Sequence, residues 1–388
     1  MFDLKKEWSI SFAGCGFMGI YYVGASSCIL ERFPRLIQSA YKLYGASAGA
    51  LTAAVLCAGI SLEKCCGDLM FMAREARRHK LGPLHPTYKL MQIVQDSILK
   101  SLPDDAHVRV SGKLCVSLTR VSDGKNVLVS EFENREDLIQ ALICSCFVPL
   151  YCGVIPPTYR GVHYVDGAVS DNLPRCGQKN TVTVSAYAGD SDLCPPASAL
   201  NLRAVRFNNV SIQVNAANLY RVTNTFFPPE PEVMAEICNN GYKDALRFLL
   251  RNNLISSGSP HRSLEAACCD RERTSPEAEE HGWLNPQLIQ NLPVGLQRAL
   301  CAACRESPTS RGLPAEEPTA SPRSLAQRLT DWIPGVPRDM TWVKDLAGEL
   351  YRKAMVDEDD QEVATRVRRC ASLLSELHLC GSPEPPPS

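Results

Sequence analysis

Ser47 stands in the pentapeptide Gly45, Ala46, Ser47, Ala48, Gly49, directly after the apolar run 41–44 and directly before the helix-like run 50–58. Strand, tight turn and helix in that order are the context in which G-x-S-x-G forms a nucleophile elbow. The two glycines let the backbone turn where a Cβ would clash, and the turn lifts the serine Oγ above the sheet edge at the positive end of the next helix. Ser47 is therefore the first candidate for a covalent nucleophile. A small-residue cluster that merely opens a buried helix has the same five letters, so the pentapeptide has to be weighed with its surroundings.

The second feature is Gly14, Cys15, Gly16, Phe17, Met18, Gly19, which follows the strand-like segment 8–13 and opens a helix-like run at 20–30. Taken alone, G-x-G-x-x-G in this setting fits a dinucleotide-binding loop. That reading needs an acidic residue about 20 positions on, at the end of the second strand. Here the second strand ends in the serine elbow instead. Beside a nucleophilic serine, the amide groups of such a loop can be aimed at the oxygen that becomes negative during acyl transfer, which makes 14–19 a candidate oxyanion hole.

The third feature is Asp166, in Asp166, Gly167, Ala168, after the short apolar run 162–165 and before a loop rich in Ser, Asp and Asn. A serine hydroxyl needs an adjacent base to become a nucleophile. Of the seven histidines, only His163 lies near these residues, and a solvated loop position accounts for it. A Ser47–Asp166 dyad is the more economical arrangement.

Together these segments resemble the patatin-like phospholipase domain family, in the vertebrate branch that includes adipose triglyceride lipase and adiponutrin. The resemblance rests on SFAGCGFMG (11–19), GASAGAL (45–51), LGPLHP (81–86), SLTRVSDG (117–124), GVHYVDGAVSDNLP (161–174) and GYKDALRFLL (241–250), and spans roughly the first 250 residues. It implies a patatin-like three-layer α/β/α sandwich, a Ser–Asp dyad at Ser47 and Asp166, and an oxyanion loop at Gly14–Gly19. The implied activity is hydrolysis of neutral lipids as a triacylglycerol lipase or phospholipase A2-like enzyme, or acylglycerol transacylation, with no metal or organic cofactor. Implied partners are an acyl lipid (acylglycerol, phospholipid or retinyl ester), a lipid droplet or membrane surface, and an α/β-hydrolase-type coactivator protein. A scaffold that chiefly binds such a coactivator is the alternative to an enzyme. Ala168 departs from the family, where close relatives often have glycine.

A formal net charge of -1 gives no reason for strong binding to nucleic acid or an anionic membrane, so lipid contact would have to be apolar. The N-terminus reads as part of the fold rather than a secretory leader, and the 18 cysteines are expected to be reduced thiols in a cytoplasmic protein. Cys301 and Cys304 form a C-x-x-C with no second pair at zinc spacing. The uncharged run 141–157 is too short and too interrupted by Pro149 to span a membrane. It reads as a helix end followed by a core strand, or as an apolar wall for an acyl chain leading to Asp166.

Elsewhere the periodicity predicts a central, wholly buried helix over 46–60, helices over 62–78, 87–102 and 135–146, a hairpin over 114–132 turning at Ser122, Asp123, Gly124, and a strand over 181–185. Helices are expected over 210–227 and 230–252. Alternating strands and helices predict a helix-sheet-helix sandwich with a mostly parallel sheet. Residues 1–254 are expected to form the catalytic domain, and 255–388 a partly helical, partly disordered region. In the latter, 256–281 and 307–324 read as linkers, while 284–304, 340–355 and 361–379 have helical spacing. The hydrophobic stretch that the triglyceride lipase branch carries in this region is shortened here and replaced by GLPAEEPTASPRS (312–324).

Overall fold

A computed structural model describes residues 3 and 5–305 except 80, 86, 176–179, 198–203, 257–283 and 285. The linkers expected at 256–281 and 307–324, except for residue 256, and the helices expected at 340–355 and 361–379 lie outside the described residues.

The chain opens with β1 (Ser9–Phe12), a 3-10 turn at Gly16–Gly19, α1 (Ile20–Arg32), α2 (Arg35–Gln38), β2 (Leu43–Gly45), α3 (Ala48–Ala58) and α4 (Leu62–Arg77). It continues through α5 (Leu90–Ser101), α6 (Ala106–Val110), β3 (Leu114–Arg120), β4 (Asn126–Val129), α7 (Arg135–Ser145), β5 (Thr158–Tyr159) and β6 (Val162–Asp166). Then come β7 (Thr181–Val184), β8 (Ala204–Phe207), β9 (Val210–Gln213), α8 (Ala216–Phe226), α9 (Pro231–Arg251), α10 (Pro286–Ile289) and α11 (Val294–Arg305).

β3, β2, β1 and β7 run parallel in that order and form the centre of an α/β sandwich. Their side chains, including Ile10, Phe12, Leu43, Leu114, Val116 and Val182, are buried on both faces, as a parallel sheet covered by helices requires. The register along β3 fixes the site. Val116 pairs with Gly45 of β2 and with Val129 of β4, so β2 and β4 lie on opposite edges. Leu118 pairs with Asp166 of β6 and with Val127 of β4, so β6 lies on the same edge as β2. Strand β2 runs up to Gly45, antiparallel β6 runs down to Asp166, and the two strands abut end to end with only Ser117 between their final partners.

Helix α3 follows β2 and packs on β1, β2 and β3. Its small residues Gly49, Ala50, Ala53 and Ala54 are buried, while Leu51, Val55, Leu56 and Cys57 are only partly covered. The expected wholly buried helix is thus a helix with one tightly packed small-residue face, because only glycine and alanine fit so close to the strands. Helix starts follow their caps: Asn134 Oδ1 accepts from Asp137 N at 2.9 Å at the start of α7, and Asn215 Oδ1 from Asn218 N at 2.7 Å at the start of α8.

The helix expected over 210–227 is divided. Residues 210–213 are β9, paired antiparallel with β8 through Asn208 and Asn209, whose φ values of 40° and 74° make a turn that asparagine tolerates. Val205, Phe207, Val210 and Ile212 alternate around that turn, a period of two that the following helix obscured.

Helices α1 and α9 pack in close contact along much of their length. A Cβ on Gly24 would meet Cys238 O at 1.8 Å, and one on Gly241 would meet Tyr21 O at 2.1 Å, so each backbone uses the other's missing side chain. Buried Tyr21 OH donates to Asp244 Oδ2 at 2.9 Å across this contact. Helix α11 in turn packs on α4 and α9, with Leu296, Leu300 and Cys304 buried in the same core as the sheet. The core therefore continues past residue 254, where composition suggested a boundary.

Candidate active site

Ser47 occupies φ 54°, ψ −129°, a region that costs a non-glycine residue about 1–3 kcal/mol. Its flanking glycines let the backbone pack too closely for any side chain there. A Cβ on Gly45 would lie 2.4 Å from Gly49 C, and one on Gly49 would lie 2.3 Å from Phe12 O. The Ser47 side chain caps nothing although it stands at the N-cap of α3. Its hydroxyl lies near enough to the Asp166 carboxyl and the Cys146 thiol to favour the ionised form of each.

Asp166 is 2% exposed. Burial pushes its carboxyl up to about 7, against the nearby Ser47 hydroxyl and the Ala168 amide, which favour the charged form. The Ala168 N–H reaches Asp166 Oδ1 at 2.8 Å. Gly167 makes that turn feasible, since a Cβ there would meet Ser117 O at 2.1 Å. Burial also pushes the thiols of Cys15 and Cys152 up to about 12, and that of Cys146 well up, so these neighbours are protonated and poor nucleophiles.

The glycine loop lies against the elbow: a Cβ on Gly14 would come within 3.1 Å of Ser47 Cβ. Its amides divide into two groups. Gly14 N–H donates to buried Asn172 Oδ1 at 2.7 Å, and Met18 N–H donates to Cys15 O at 3.0 Å. Gly16 and Phe17 open the 3-10 turn, where no preceding turn supplies an acceptor. Gly16 has φ +51°, and a Cβ there would meet Thr225 O at 2.2 Å, so the end of α8 closes over the loop. Cys15, Phe17, Met18 and Gly19 are buried beside it or with it.

The family profile for patatin-like phospholipases matches residues 10–175, which contain all three motifs. Patatin-like phospholipase domain-containing protein 2 of Rattus norvegicus is 44% identical over 367 residues, covering 90% of this chain and 77% of that protein. The chain belongs to the patatin-like phospholipase family. Human 1-acylglycerol-3-phosphate O-acyltransferase PNPLA3 is 35% identical over 404 residues, covering 92% of this chain and 83% of its own, and human patatin-like phospholipase domain-containing protein 5 is 36% identical with 96% of each covered. Similarity thus runs well beyond the first 250 residues. The solved structure of VipD from Legionella pneumophila aligns at TM-score 0.38 and 13% identity over 96% of this chain and 86% of that one, too loosely to bear on the site.

This patatin-like phospholipase family member also holds its site with residues that carried no sequence signal of their own. Ser145, fully buried at the end of α7, accepts the Ser47 N–H at 3.0 Å and donates to Ser117 O at 2.8 Å, filling the gap between the ends of β2 and β6. The β8–β9 turn grips the Asp166 loop: Asn208 Nδ2 donates to Ala168 O at 2.7 Å and Val169 O at 2.6 Å, and Asn208 O accepts Asn172 N–H at 3.0 Å. Asn172 lies inside the 161–174 motif, yet its link to Gly14 is invisible without the fold. His163 sits on β6 and donates Nδ1–H to Pro156 O at 2.9 Å. Among the described residues no helix is long and apolar enough to cross a membrane, and no three His, Cys, Asp or Glu side chains cluster as metal ligands.

Proposed function

We propose that this chain is a lipid acyl hydrolase, able also to transfer the acyl group, in which Ser47 is the nucleophile and Asp166 its base. The observation that carries the reading is the Ser47 hydroxyl, uncapped on a strained backbone and beside a buried carboxyl that burial holds near 7. A base poised near neutral pH takes a proton and returns it with little loss in either direction.

Asp166 accepts the Ser47 proton as Oγ attacks the ester carbonyl. The negative charge that develops on the carbonyl oxygen meets the amides of Gly16 and Phe17 at the start of their turn, with Gly14 fixed in place by Asn172. Protonated Asp166 gives its proton to the departing alcohol, leaving an acyl-serine. Water, deprotonated by Asp166, frees the fatty acid, or the hydroxyl of a second lipid takes the acyl chain. The relatives named phospholipase and acylglycerol-phosphate acyltransferase support an acyl-lipid substrate and both outcomes. A lipid droplet or membrane is then the surface where the substrate is met, and an α/β-hydrolase-type coactivator is a partner the family resemblance allows.

A fluorophosphonate probe tests the nucleophile. Labelling of the wild type and none of Ser47→Ala supports the reading; equal labelling of both, or of neither, overturns it.

A further inference from the structure

We infer that the loop 147–157 is the part of the molecule that enters an uncharged lipid surface, with Leu150 and Ile155 as the inserted side chains. The inference deepens the acyl-lipid reading and rests on it for the identity of the surface.

No charged residue occurs between Ala141 and Pro157, although the chain as a whole is 21% charged. The first part of that run is buried in α7; the rest is a loop, not a core strand, on which Leu150 and Ile155 are the exposed aliphatic residues. Ile155 is 81% exposed and Leu150 38%. Leu150 also has φ +68°, a left-handed conformation that glycine or asparagine would take at less cost, and its N–H donates to Gly153 O at 2.8 Å to close the turn. Two unfavourable features thus coincide on one short loop: strained backbone and hydrocarbon in water.

The loop is firmly tied at its base. Asp166 N–H donates to Phe147 O at 2.8 Å, which sets its first residue beside the dyad. Tyr151 OH donates to Phe226 O at 2.6 Å and its ring packs edge-on against Phe226 at 5.4 Å, next to the end of α8 that closes over Gly16. His163 holds Pro156 O, and Tyr164 N–H donates to Pro157 O at 3.1 Å. Phe147 packs inward with Val121 and Val165. Leu150 and Ile155 therefore project from a loop bounded on one side by Asp166 and on the other by the cover of the glycine loop.

Two aliphatic side chains on a tip are far less than the roughly 800 Å² that a protein partner usually buries on each side, whereas hydrocarbon needs no matching shape. Charge favours an uncharged surface as well, since the nearby Arg160 is paired with Asp137 and Arg120 with Asp123.

The test is flotation with phosphatidylcholine vesicles at low and high salt. Leu150→Ser with Ile155→Ser should lower the partition coefficient by roughly a hundredfold, and Ile155→Trp should raise it, with salt making little difference. Leu150→Gly separates surface contact from folding: it relieves the strain, so it should melt no lower than wild type while binding vesicles less. Unchanged partition in the double serine variant, or binding that salt abolishes, overturns the inference. Hydrolysis of a water-soluble short-chain ester by wild type and Ser47→Ala tests the catalytic reading separately, and its failure leaves the flotation result standing.

Discussion

Burial stabilises Asp166 as the acid, and in the proposed mechanism the same burial poises it as a base. Its carboxyl lies near 7 when folded against 3.8 as the reference value, so the folded chain binds more protons than the unfolded one between those limits. Stability from this group is present at low pH and is lost as pH rises through 7, by at most about 4 kcal/mol. In the proposed mechanism the ionised form is the base, so turnover moves the other way and kcat/KM should rise along an acid limb centred near pH 7. Asp166→Asn should abolish turnover and yet melt at a higher temperature than wild type at pH 8, with the difference shrinking by pH 5. A wild type that melts higher than Asp166→Asn at pH 8 would contradict the assigned ionisation. Asp166, Ser47 and the glycine loop were legible as separate letters in the sequence. Ser145 and Asn172 were not, because their partners are a backbone amide 98 residues away and another 158 residues away.

At the scale of elements, close backbone contact decides which glycines tolerate a side chain. Gly24→Ala and Gly241→Ala should each destabilise the chain by about 3 kcal/mol, because the contacts at 1.8 and 2.1 Å are with backbone that cannot swing aside. Gly67→Ala on α4 meets nothing within 4 Å and should stabilise by about 0.5–1 kcal/mol; urea melts of the three variants check the ranking. The β8–β9 turn makes a different demand. Asn208→Asp keeps a residue that accepts positive φ but sets carboxylate oxygen against two carbonyls where an amide donated. Loosening of the Ala168 amide would weaken the bond that favours ionised Asp166, moving the acid limb of the pH profile upward and lowering kcat by on the order of tenfold to a hundredfold. A fold-only role would lower the melting temperature and leave the limb in place. This hairpin escaped the periodicity because its strands are four residues each and run directly into α8, whereas the hairpin turning at 122–124 had longer alternation and a glycine to mark it.

At the scale of the whole molecule, the described residues beyond the compositional change near 254 pack into the same core as the sheet. Cys304 of α11 lies beside Cys66 of α4, and Leu296 and Leu300 are buried with them. A chain ended at 254 should therefore melt roughly 10 °C lower, with protease reaching α4 first; an unchanged melt would mean that α11 contributes nothing to the core. The mostly parallel sheet was legible because β1, β2 and β3 are apolar runs separated from one another by helices. The end-to-end meeting of β2 and β6 was not, since pairing register is a property of two segments and neither carries it alone. That meeting makes the site unforgiving of error. A slip of one residue in β6 would turn Asp166 to the far side of the sheet and leave nearly every strand hydrogen bond intact. Refolded material would then look native by circular dichroism while being inert, so titration with an irreversible serine reagent, and not spectroscopy, should count the correctly threaded fraction of a preparation.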